Sequence, residues 1–344
     1  MAWPLLFAEA SFVMQDHTAA SMIMSHSKRR VCVTGAGGFL GSHICRYFCE
    51  QGDFVSAIGR FHFSTEDGHT PRFAHEFHGL TLPDPSLAEI LRRTRPHLVV
   101  HCAGSSSVGP SLGQPHVDFQ RNVEVCASLL ECIRHETPET TFVLLSSAAV
   151  YGNPQQLPVT EAASIQPLSP YGYHKRMCEA VAEEYFMLYG VRATILRIFS
   201  AYGEGLKKQV LFDLCRKFSG TENERVEVFG TGNETRDFVH ATDIAQAIDR
   251  VFQSQETGLF NVGSGCQTSI AGVVEKIRHS LGSGKEIHYT GSTRQGDPLY
   301  WQADISRIMS LGYRPRVLFG EGLASYCRWF QEWNRIETRS RYAA

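Results

Sequence analysis

The sequence has no excess of basic residues and no long cluster of lysines and arginines. It contains 33 lysines and arginines against 35 aspartates and glutamates, which gives a formal net charge of -2. A protein that binds along a nucleic-acid backbone needs clustered cations to pair with the phosphates. We therefore expect no nucleic-acid partner, and any anionic partner should be small.

Long apolar runs and metal-binding cysteine pairs are missing as well. No run reaches the ~18 apolar residues that a membrane-spanning helix needs. The ten cysteines include no C-x-x-C pair and no histidine adjoins them at metal-ligand spacing. Scattered free thiols of this kind are typical of a reducing compartment. The sequence thus predicts a cytoplasmic protein with no metal site and no membrane contact.

Internal repeats, low-complexity segments and obvious flexible linkers are also absent. The 344 residues are 43% hydrophobic and 20% charged, a composition that can build a large folded core. Residues 1–28 carry an apolar patch, but Glu9 interrupts it and no basic segment precedes it, unlike a secretory signal. We expect a disordered leader there, or an upstream start that precedes Met22 or Met24.

What the sequence does contain is an alternation of apolar strands and helices that begins after Lys28. The segment RRVCVTGAGGFLGSHICRYFCEQG predicts a strand, a glycine turn and a helix. Further strands are predicted at residues 54–59, 97–104, 141–150 and 193–199, with helical stretches between them. This order predicts an α/β fold of the Rossmann type, in which helices cover both faces of a doubly wound parallel sheet.

The alternation becomes irregular after Tyr202, which predicts a smaller, partly interleaved second domain. Glycine-rich turns occur there, and an aromatic helix, EGLASYCRWFQEW, closes the chain. We assign residues 29–204, together with 237–263, to the dinucleotide-binding domain. The smaller substrate domain comprises residues 205–236 and 264–333, and residues 334–344 form a tail.

The glycine turn TGAGGFLG places Gly35, Gly38 and Gly41 between the first strand and the first helix. A turn without side chains lets a pyrophosphate approach the backbone, and the N–H groups of the following helix point at it. Glycines also cluster in ordinary turns, but their position between a strand and a helix predicts dinucleotide binding.

The second predicted strand ends at Gly59 and Arg60, where an acidic residue that accepts hydrogen bonds from the adenosine ribose is usual. A guanidinium suits a ribose 2′-phosphate better than a free diol. The cofactor is therefore NAD or NADP, with NADP favoured by Arg60. The alternative is an exposed arginine that touches no cofactor.

The segment SPYGYHK places Tyr171 and Lys175 one helical turn apart on one face. An ammonium beside the phenol favours the phenolate, which makes Tyr171 a candidate proton shuttle. A Y-x-x-x-K pair is common by chance, but Ser146 and Ser147 end an apolar strand at the carboxyl edge of the sheet, where such folds bind ligands. A serine hydroxyl there can hydrogen-bond the substrate oxygen that Tyr171 protonates or deprotonates.

In this order the motifs resemble the extended short-chain dehydrogenases/reductases, specifically the NAD-dependent epimerase/dehydratase group that acts on nucleotide sugars. The resemblance covers roughly residues 29–333. The matching segments are TGAGGFLGSH, HCAGSSSVGPSL, FQRNVE, SSAAVYG, SPYGYHK, LRIFSAYG, VFGTGNETRDFVHATDIAQAI, LFNVGSG and RQGDPLYWQAD.

The resemblance implies a nicotinamide bound at the sheet edge, a nucleotide-diphosphate sugar as substrate, and a homodimer. The catalytic residues it implies are Ser147, Tyr171 and Lys175. The cofactor contacts it implies are Gly35, Gly38, Phe39, Leu40, Gly41, Arg60, Ala103, Gly104, Asn122, Tyr171 and Lys175. The implied substrate contacts are Ser107, Ser147, Arg236, Arg294 and Asp297, of which the two arginines clamp the diphosphate.

Two reactions fit the resemblance. Sugar 4,6-dehydratases of the family carry an Asp-Glu pair after the strand-end hydroxyl residue, whereas this chain has Ala148 and Ala149, so dehydration is disfavoured. A 4-epimerase oxidises and re-reduces C4 with a retained cofactor, and GDPLYWQAD resembles UDP-galactose 4-epimerases. The alternative is an NADPH-dependent reductase of nucleotide 4-keto-6-deoxysugars. A non-catalytic family member is a third possibility, which the complete Ser147, Tyr171 and Lys175 set disfavours.

Four positions depart from the pattern of UDP-galactose 4-epimerases. Arg60 stands near the usual ribose-binding acid, and Gly79 replaces an aspartate that contacts adenine. Ser106 occupies the position of a lysine, and Ser200 that of an asparagine. The first departure favours NADP, and the other three weaken the match to that single enzyme.

Overall fold

The computed structural model describes residues 28–60, 73–221, 224–293, 296 and 298–342. Of the predicted leader, residues 1–28, Lys28 alone lies within these ranges. The predicted substrate residues Arg294 and Asp297 lie outside the described residues.

The described strands and helices follow the predicted alternation. The strands are β1 (Arg30–Thr34), β2 (Phe54–Gly59), β3 (Glu76–Gly79), β4 (Leu98–His101), β5 (Thr141–Ser147), β6 (Ala193–Ile198), β7 (Ser200–Tyr202), β8 (Arg225–Val228), β9 (Thr235–Arg236), β10 (Phe238–His240), β11 (Gly258–Val262), β12 (Thr268–Ser269) and β13 (Glu286–Tyr289). The helices are α1 (Phe39–Glu50), α2 (Ser86–Thr94), α3 (Val108–Gly113), α4 (Pro115–Phe119), α5 (Val125–Glu136), α6 (Pro170–Tyr189), α7 (Gln209–Ser219), α8 (Ala241–Ser254), α9 (Ile270–Ser280), α10 (Ser306–Ser310) and α11 (Phe319–Tyr342).

Seven of these strands form one sheet in the order β11-β6-β5-β4-β1-β2-β3. All neighbouring pairs are parallel. The chain builds the sheet outward from β1 in one direction through β2 and β3, and in the other through β4, β5, β6 and β11. The predicted doubly wound α/β fold is confirmed, and the reversal between β1 and β4 creates the crevice where such sheets bind ligands.

The core lies on both faces of this sheet because successive strand residues point to opposite sides. In β1, Val31 and Val33 pack with residues of α1 and α8, such as Phe48 and Ile248. Cys32, between them, packs on the other face with residues of α2, α5 and α6. Strands buried on both faces explain why the sequence shows continuous apolar runs instead of alternation.

A separate hydrophobic cluster forms from the later part of the chain. It contains Phe212 of α7, Val226 of β8, Val273 of α9 and Phe330 of α11. Between these segments the chain returns to the larger sheet, since α8 packs on α1 and β11 pairs with β6. The cluster forms the far wall of the crevice. The division into two interleaved domains stays a prediction.

Local departures from the predicted elements occur where the cleft begins. The strand predicted at 141–150 ends at Ser147, and Ala148–Val150 form a 3-10 turn. The helical stretch predicted between the strands at 97–104 and 141–150 contains a π-helical turn, Gln120–Glu124, between α4 and α5. Within the described ranges, the helices are all too short or too polar to cross a membrane.

Candidate active site

A cleft of about 1010 Å³ lies at the carboxyl ends of β1, β4 and β5. One wall carries the glycine turn and the predicted catalytic residues, and the opposite wall carries residues of α7, β8 and β9. Its lining includes Gly35, Gly38, Gly41, Ser147, Tyr171, Lys175, Lys208, Phe229 and Arg236. The cleft thus coincides with the topological switch point of the sheet.

The glycine turn is packed so closely against neighbouring backbone that Gly35 and Gly41 have no space for a side chain. Gly35 has a φ of +69°, and a Cβ at this position would lie 2.6 Å from the backbone nitrogen of Ala103. A Cβ at Gly41 would collide with the carbonyl oxygen of Gly35. Gly38 caps the N-terminus of α1 without a side-chain hydrogen bond. The N-terminus of α1 follows this turn on the cleft wall, which fits a dinucleotide pyrophosphate.

Most of the other predicted cofactor residues line the same cleft: Phe39, Leu40, Arg60, Ala103 and Gly104. Arg60 is exposed at the end of β2. Asn122 is placed differently, since it is buried in the π-helical turn and donates a 2.9 Å hydrogen bond to the carbonyl of Asp118. Its Oδ1 has no hydrogen-bond partner in the described part of the chain. Asn122 lies behind Gly104, where a Cβ would approach this oxygen to 2.6 Å.

Helix α6 carries Tyr171 and Lys175 in its first two turns. Ser169 caps the helix by accepting a hydrogen bond from the N–H of Gly172 at 3.2 Å, and Pro170 begins it. The Tyr171 N–H donates to Ser111 Oγ of α3 at 3.2 Å. The start of α6 is therefore held to the cleft edge as well as capped.

Lys175 is buried beside the Tyr171 ring. Its Nζ lies 5.9 Å from the ring centroid and donates a 3.0 Å hydrogen bond to the carbonyl oxygen of Leu145. Burial opposes the charged form, but the interactions with Tyr171 and the neighbouring thiols outweigh it and raise the pKa of Lys175. Lys175 therefore supplies a positive charge next to the phenol.

His101, at the end of β4, lies in the same buried layer as Lys175. Burial, and then the charge of Lys175, lower the pKa of His101 to about 3. Its Nδ1 is 2.8 Å from Oγ1 of Thr34 at the end of β1. A neutral imidazole therefore links the two strands below the glycine turn.

The two strand-end serines have different surroundings. Ser147 is half-buried on the cleft wall, and its Oγ accepts a hydrogen bond from the N–H of Ala149 at 3.1 Å. Ser146 is buried, and its Oγ donates to Glu179 of α6 at 2.6 Å. Ser146 thus supports Ser147 by fastening the end of β5 to α6. Ala148 and Ala149 follow without a carboxylate.

The predicted substrate residues that the structure describes lie on both walls of the cleft, with Ser147 on the sheet side and Arg236 opposite it. Arg236 lies in β9, and its guanidinium carbon is 5.8 Å from the ring centroid of Trp301. Its Nη1 donates to the carbonyl of Thr235 at 2.9 Å. Ser107 directly precedes α3 and also lines the cleft. Within the described residues, no group of three or more His, Cys, Asp or Glu side chains is placed to hold a metal ion.

Sequence reasoning missed three features that shape this site. They are the contact of Ser111 with the start of α6, the buried ion pair of Glu179 with Arg197, and the contact of Lys208 with Ser106. The spacing held a signal for Glu179, because it follows Lys175 by one helical turn on the same face. The Lys208 contact joins residues far apart in sequence, and no local pattern indicates it.

The sequence matches the model of the NAD dependent epimerase/dehydratase family over residues 31–263. The chain belongs to this family. The match spans the glycine turn, the Ser147, Tyr171 and Lys175 set, and Arg236.

Relatives of known structure and sequence agree with this assignment. A Methanocaldococcus jannaschii protein provisionally named a UDP-glucose 4-epimerase is 31% identical, over 89% of this chain and 99% of its own length. The UDP-N-acetylglucosamine 4-epimerase of Methanobrevibacter ruminantium M1, solved with UDP-N-acetylmuramic acid, superposes with a TM-score of 0.80 at 26% identity, over 89% of this chain and 99% of that one. The UDP-glucuronic acid 4-epimerase of Bacillus cereus, solved with UDP-glucuronic acid and NAD, gives 0.80 at 25% identity, over 88% and 99%.

This member of the NAD dependent epimerase/dehydratase family therefore resembles proteins named for one reaction, the inversion of a sugar at C4. That agreement favours the epimerase interpretation of the sequence over the ketoreductase alternative.

Proposed function

We propose that this protein is a nucleotide-sugar 4-epimerase that works with a nicotinamide dinucleotide retained in the cleft. The observation that carries the proposal is the continuity of the cleft, which is lined by the glycine turn, by the serine, tyrosine and lysine set, and by Arg236. Cofactor, reacting carbon and diphosphate would then occupy one connected space. The presence of Tyr171, Lys175 and Ser147 in one site speaks against a non-catalytic member.

The chain's own residues move the proton and orient the sugar. Tyr171 Oη takes the proton of the C4 hydroxyl and returns it after the sugar has rotated to present its other face. The Ser147 hydroxyl hydrogen-bonds the same sugar oxygen. The ammonium of Lys175, held by the Leu145 carbonyl, stabilises the phenolate that accepts the C4 hydroxyl proton and that forms again when the proton is returned. A nicotinamide held between the glycine turn and Lys175 would supply the complementary hydride chemistry at C4.

The proposed substrate is a nucleotide-diphosphate sugar, and UDP-sugars are the first to test because the M. ruminantium and B. cereus structures hold UDP compounds. Arg236 lines the wall opposite Tyr171 and is the described residue best suited to bind the diphosphate, through its planar guanidinium. The predicted partners Arg294 and Asp297 belong to the same proposal.

The form of the cofactor is a separate part of the proposal. The B. cereus neighbour holds NAD, whereas Arg60 at the end of β2 offers a guanidinium where a ribose-binding carboxylate is usual. We propose that Arg60 gives this chain a preference for the 2′-phosphate of NADP. The alternative, an arginine that faces solvent beside bound NAD, is an outcome of the test in the Discussion.

The absence of a carboxylate at Ala148 and Ala149 argues against water elimination from the sugar, because the 3-10 turn offers neither acid nor base beside Ser147. A homodimer is also proposed from the family resemblance. Exposed Tyr173 and Met177 on α6 supply apolar surface for it.

The purified protein should interconvert the C4 epimers of at least one UDP-sugar without net consumption of cofactor. The test is incubation with UDP-, GDP-, dTDP- and CDP-sugars in the presence of NAD⁺ or NADP⁺, with the products separated by anion-exchange chromatography. Stoichiometric oxidation of NADPH by a 4-keto sugar, without epimer formation, would establish the reductase instead. Tight cofactor binding with no turnover of any sugar would point to a non-catalytic protein.

A further inference from the structure

Lys208 reaches across the cleft from the start of α7. Its Nζ donates a short hydrogen bond to Oγ of Ser106, in the loop that follows β4. The hydrogen bond joins the wall formed by the later part of the chain to the edge of the parallel sheet. Both residues line the cleft, so the contact spans the space that a ligand occupies.

Lys208 and Ser106 present an ammonium and a hydroxyl to the same cleft. No ion pair of Lys208 occurs in the ranges that the structure describes, and its side-chain hydrogen bond goes to a neutral hydroxyl. By contrast, Lys217 at the other end of α7 pairs with Asp213 at 2.9 Å. An ammonium and a hydroxyl that face a cleft together are the donors that a phosphate oxygen accepts from.

The backbone beside Lys208 is strained. Gln209 has a φ of +66°, in the left-handed region that residues other than glycine rarely adopt, and it lines the cleft as well. Such conformations persist where the surrounding structure holds them and are concentrated at ligand clamps. Here the strained residue begins α7 directly after the lysine.

The position of Ser106 indicates which ligand the pair meets. Strand β4 lies between β1, which carries the glycine turn, and β5, which carries Ser147. A dinucleotide stretched from that turn to Ser147 must pass the loop after β4, with its diphosphate at the turn. Ser106 is also the position at which the family resemblance places a lysine, so the structure brings an ammonium from position 208 to a site where the sequence has lost one.

We propose that Lys208 and Ser106 form a second diphosphate-binding pair for the dinucleotide, which closes over it from the opposite wall and slows its release. This inference rests on the proposed function for the presence of the dinucleotide. It adds a pair of residues that slows cofactor release, which suits an epimerase because an epimerase must keep the same cofactor between the two hydride transfers.

The test is direct binding of NADH and NADPH to cofactor-free protein, with wild type compared to Lys208→Met. Loss of one exposed charge-assisted hydrogen bond should weaken the tighter cofactor by about 5- to 20-fold at low salt. Most of the change should appear as faster release in a stopped-flow displacement, and it should shrink at high salt because an exposed charge is screened. Ser106→Ala should cause a smaller change in the same direction, and Lys208→Arg should keep most of the affinity.

Lys276→Met is the matched control, because Lys276 is an exposed lysine of α9 outside the cleft. Circular dichroism and the thermal transition of each variant establish that the fold is intact. Unchanged cofactor affinity and release in both Lys208→Met and Ser106→Ala would overturn the proposal. Weaker binding of UDP alone, measured on cofactor-loaded protein, would overturn it too, since the lysine would then serve the substrate.

The binding experiment is independent of the proposed reaction. If no sugar is epimerised but Lys208→Met still loses NADH or NADPH faster, the proposed function fails and the retention pair stands. If epimerisation is found and cofactor release is unaltered, the retention pair fails alone.

Discussion

The ammonium of Lys175 donates a 3.0 Å hydrogen bond to the backbone carbonyl of Leu145. Leu145 precedes Ser147 by two residues on β5, so this bond ties the helix that carries the proton-transfer residues to the strand that carries the serine. The second tie is Ser146 to Glu179, at 2.6 Å. The relative position of Ser147, Tyr171 and Lys175 is therefore fixed by buried contacts that precede any ligand.

Tyr171→Phe should lower kcat by about 100-fold or more while leaving cofactor affinity within about twofold, because the change removes one proton-transfer hydroxyl and no packing. The measurement is epimerisation of the best UDP-sugar alongside NADH and NADPH titration. Tyr173→Phe is the control, since Tyr173 is two residues further along α6 and its side chain is exposed. A Tyr171→Phe enzyme that turns over at the wild-type rate would show that another group moves the proton.

Arg197→Met should destabilise the fold far more than Arg176→Met, although both arginines contact Glu179. Arg197 is buried and binds Glu179 through two nitrogens, at 2.9 and 2.7 Å. Its loss leaves a buried carboxylate without its main partner, which costs about 3 kcal/mol. Arg176 is partly exposed and 3.5 Å from the carboxylate, so its loss should cost under about 1 kcal/mol.

Urea unfolding of the two variants measures this difference. Equal losses of stability in Arg197→Met and Arg176→Met would contradict the unequal roles of the two arginines. A reduced kcat in Arg197→Met under conditions where it is fully folded would further show that the Ser146 and Glu179 tie positions Ser147.

The sequence allowed the sheet and one wall of the site to be predicted for physical reasons. Strands buried on both faces give continuous apolar runs, and the glycine turn marks the end of β1 wherever a backbone must approach a ligand. Tyr171 and Lys175 are one helical turn apart, so their shared face follows from helix geometry alone. Each of these features depends on residues close together in the chain.

The features that escaped prediction depend on contacts between distant segments. Lys208 and Ser106 are brought together by the folding of the two walls, and Arg197 meets Glu179 across a strand and a helix. The predicted strand at 141–150 also extended too far, because apolar Ala148, Ala149 and Val150 continue the pattern into a 3-10 turn. Burial alone does not distinguish a strand from a buried turn in a single sequence.

Arg236→Met should raise KM for the nucleotide sugar by about tenfold and change kcat by less, because a diphosphate contact is remote from C4 and is kept in ground state and transition state alike. The measurement is initial rates over a range of UDP-sugar concentrations. Arg225→Met is a control, since Arg225 lies in β8 with an exposed side chain 3.6 Å from Glu286. Unaltered KM in Arg236→Met would remove this residue from the substrate site.

Stability should fall as pH drops from about 6.5 toward 3, with a contribution from His101. Burial holds the pKa of His101 at about 3 in the folded chain, whereas an unfolded histidine has a pKa near ~6.5. The unfolded chain therefore binds more protons across this window, so the free energy of unfolding decreases as pH falls, on the order of 5 kcal/mol in total from this residue.

The measurement is urea unfolding of wild type and His101→Gln at several pH values between 4 and 7. The quantity to compare is the slope of the free energy of unfolding against pH. The free energy of unfolding should decrease less steeply with falling pH in the variant than in wild type, even if the variant is less stable at neutral pH. His116→Gln, at an exposed position on α4, should keep the wild-type slope. Identical slopes in wild type and His101→Gln would contradict a neutral buried imidazole.

Arg60 should decide between the two cofactor forms, because it stands at the end of β2, on the cleft wall, with no carboxylate in the preceding Ile58 and Gly59. A guanidinium there attracts a ribose 2′-phosphate, so cofactor-free protein should bind NADPH more tightly than NADH, by about 10-fold. Arg60→Gln should remove that preference, and Arg60→Asp should reverse it, since a carboxylate repels the phosphate and accepts hydrogen bonds from a free diol. Calorimetric titration of the three proteins with both cofactors measures the effect. Tight NADH binding, weak NADPH binding and no response to either substitution would show that Arg60 faces solvent beside bound NAD.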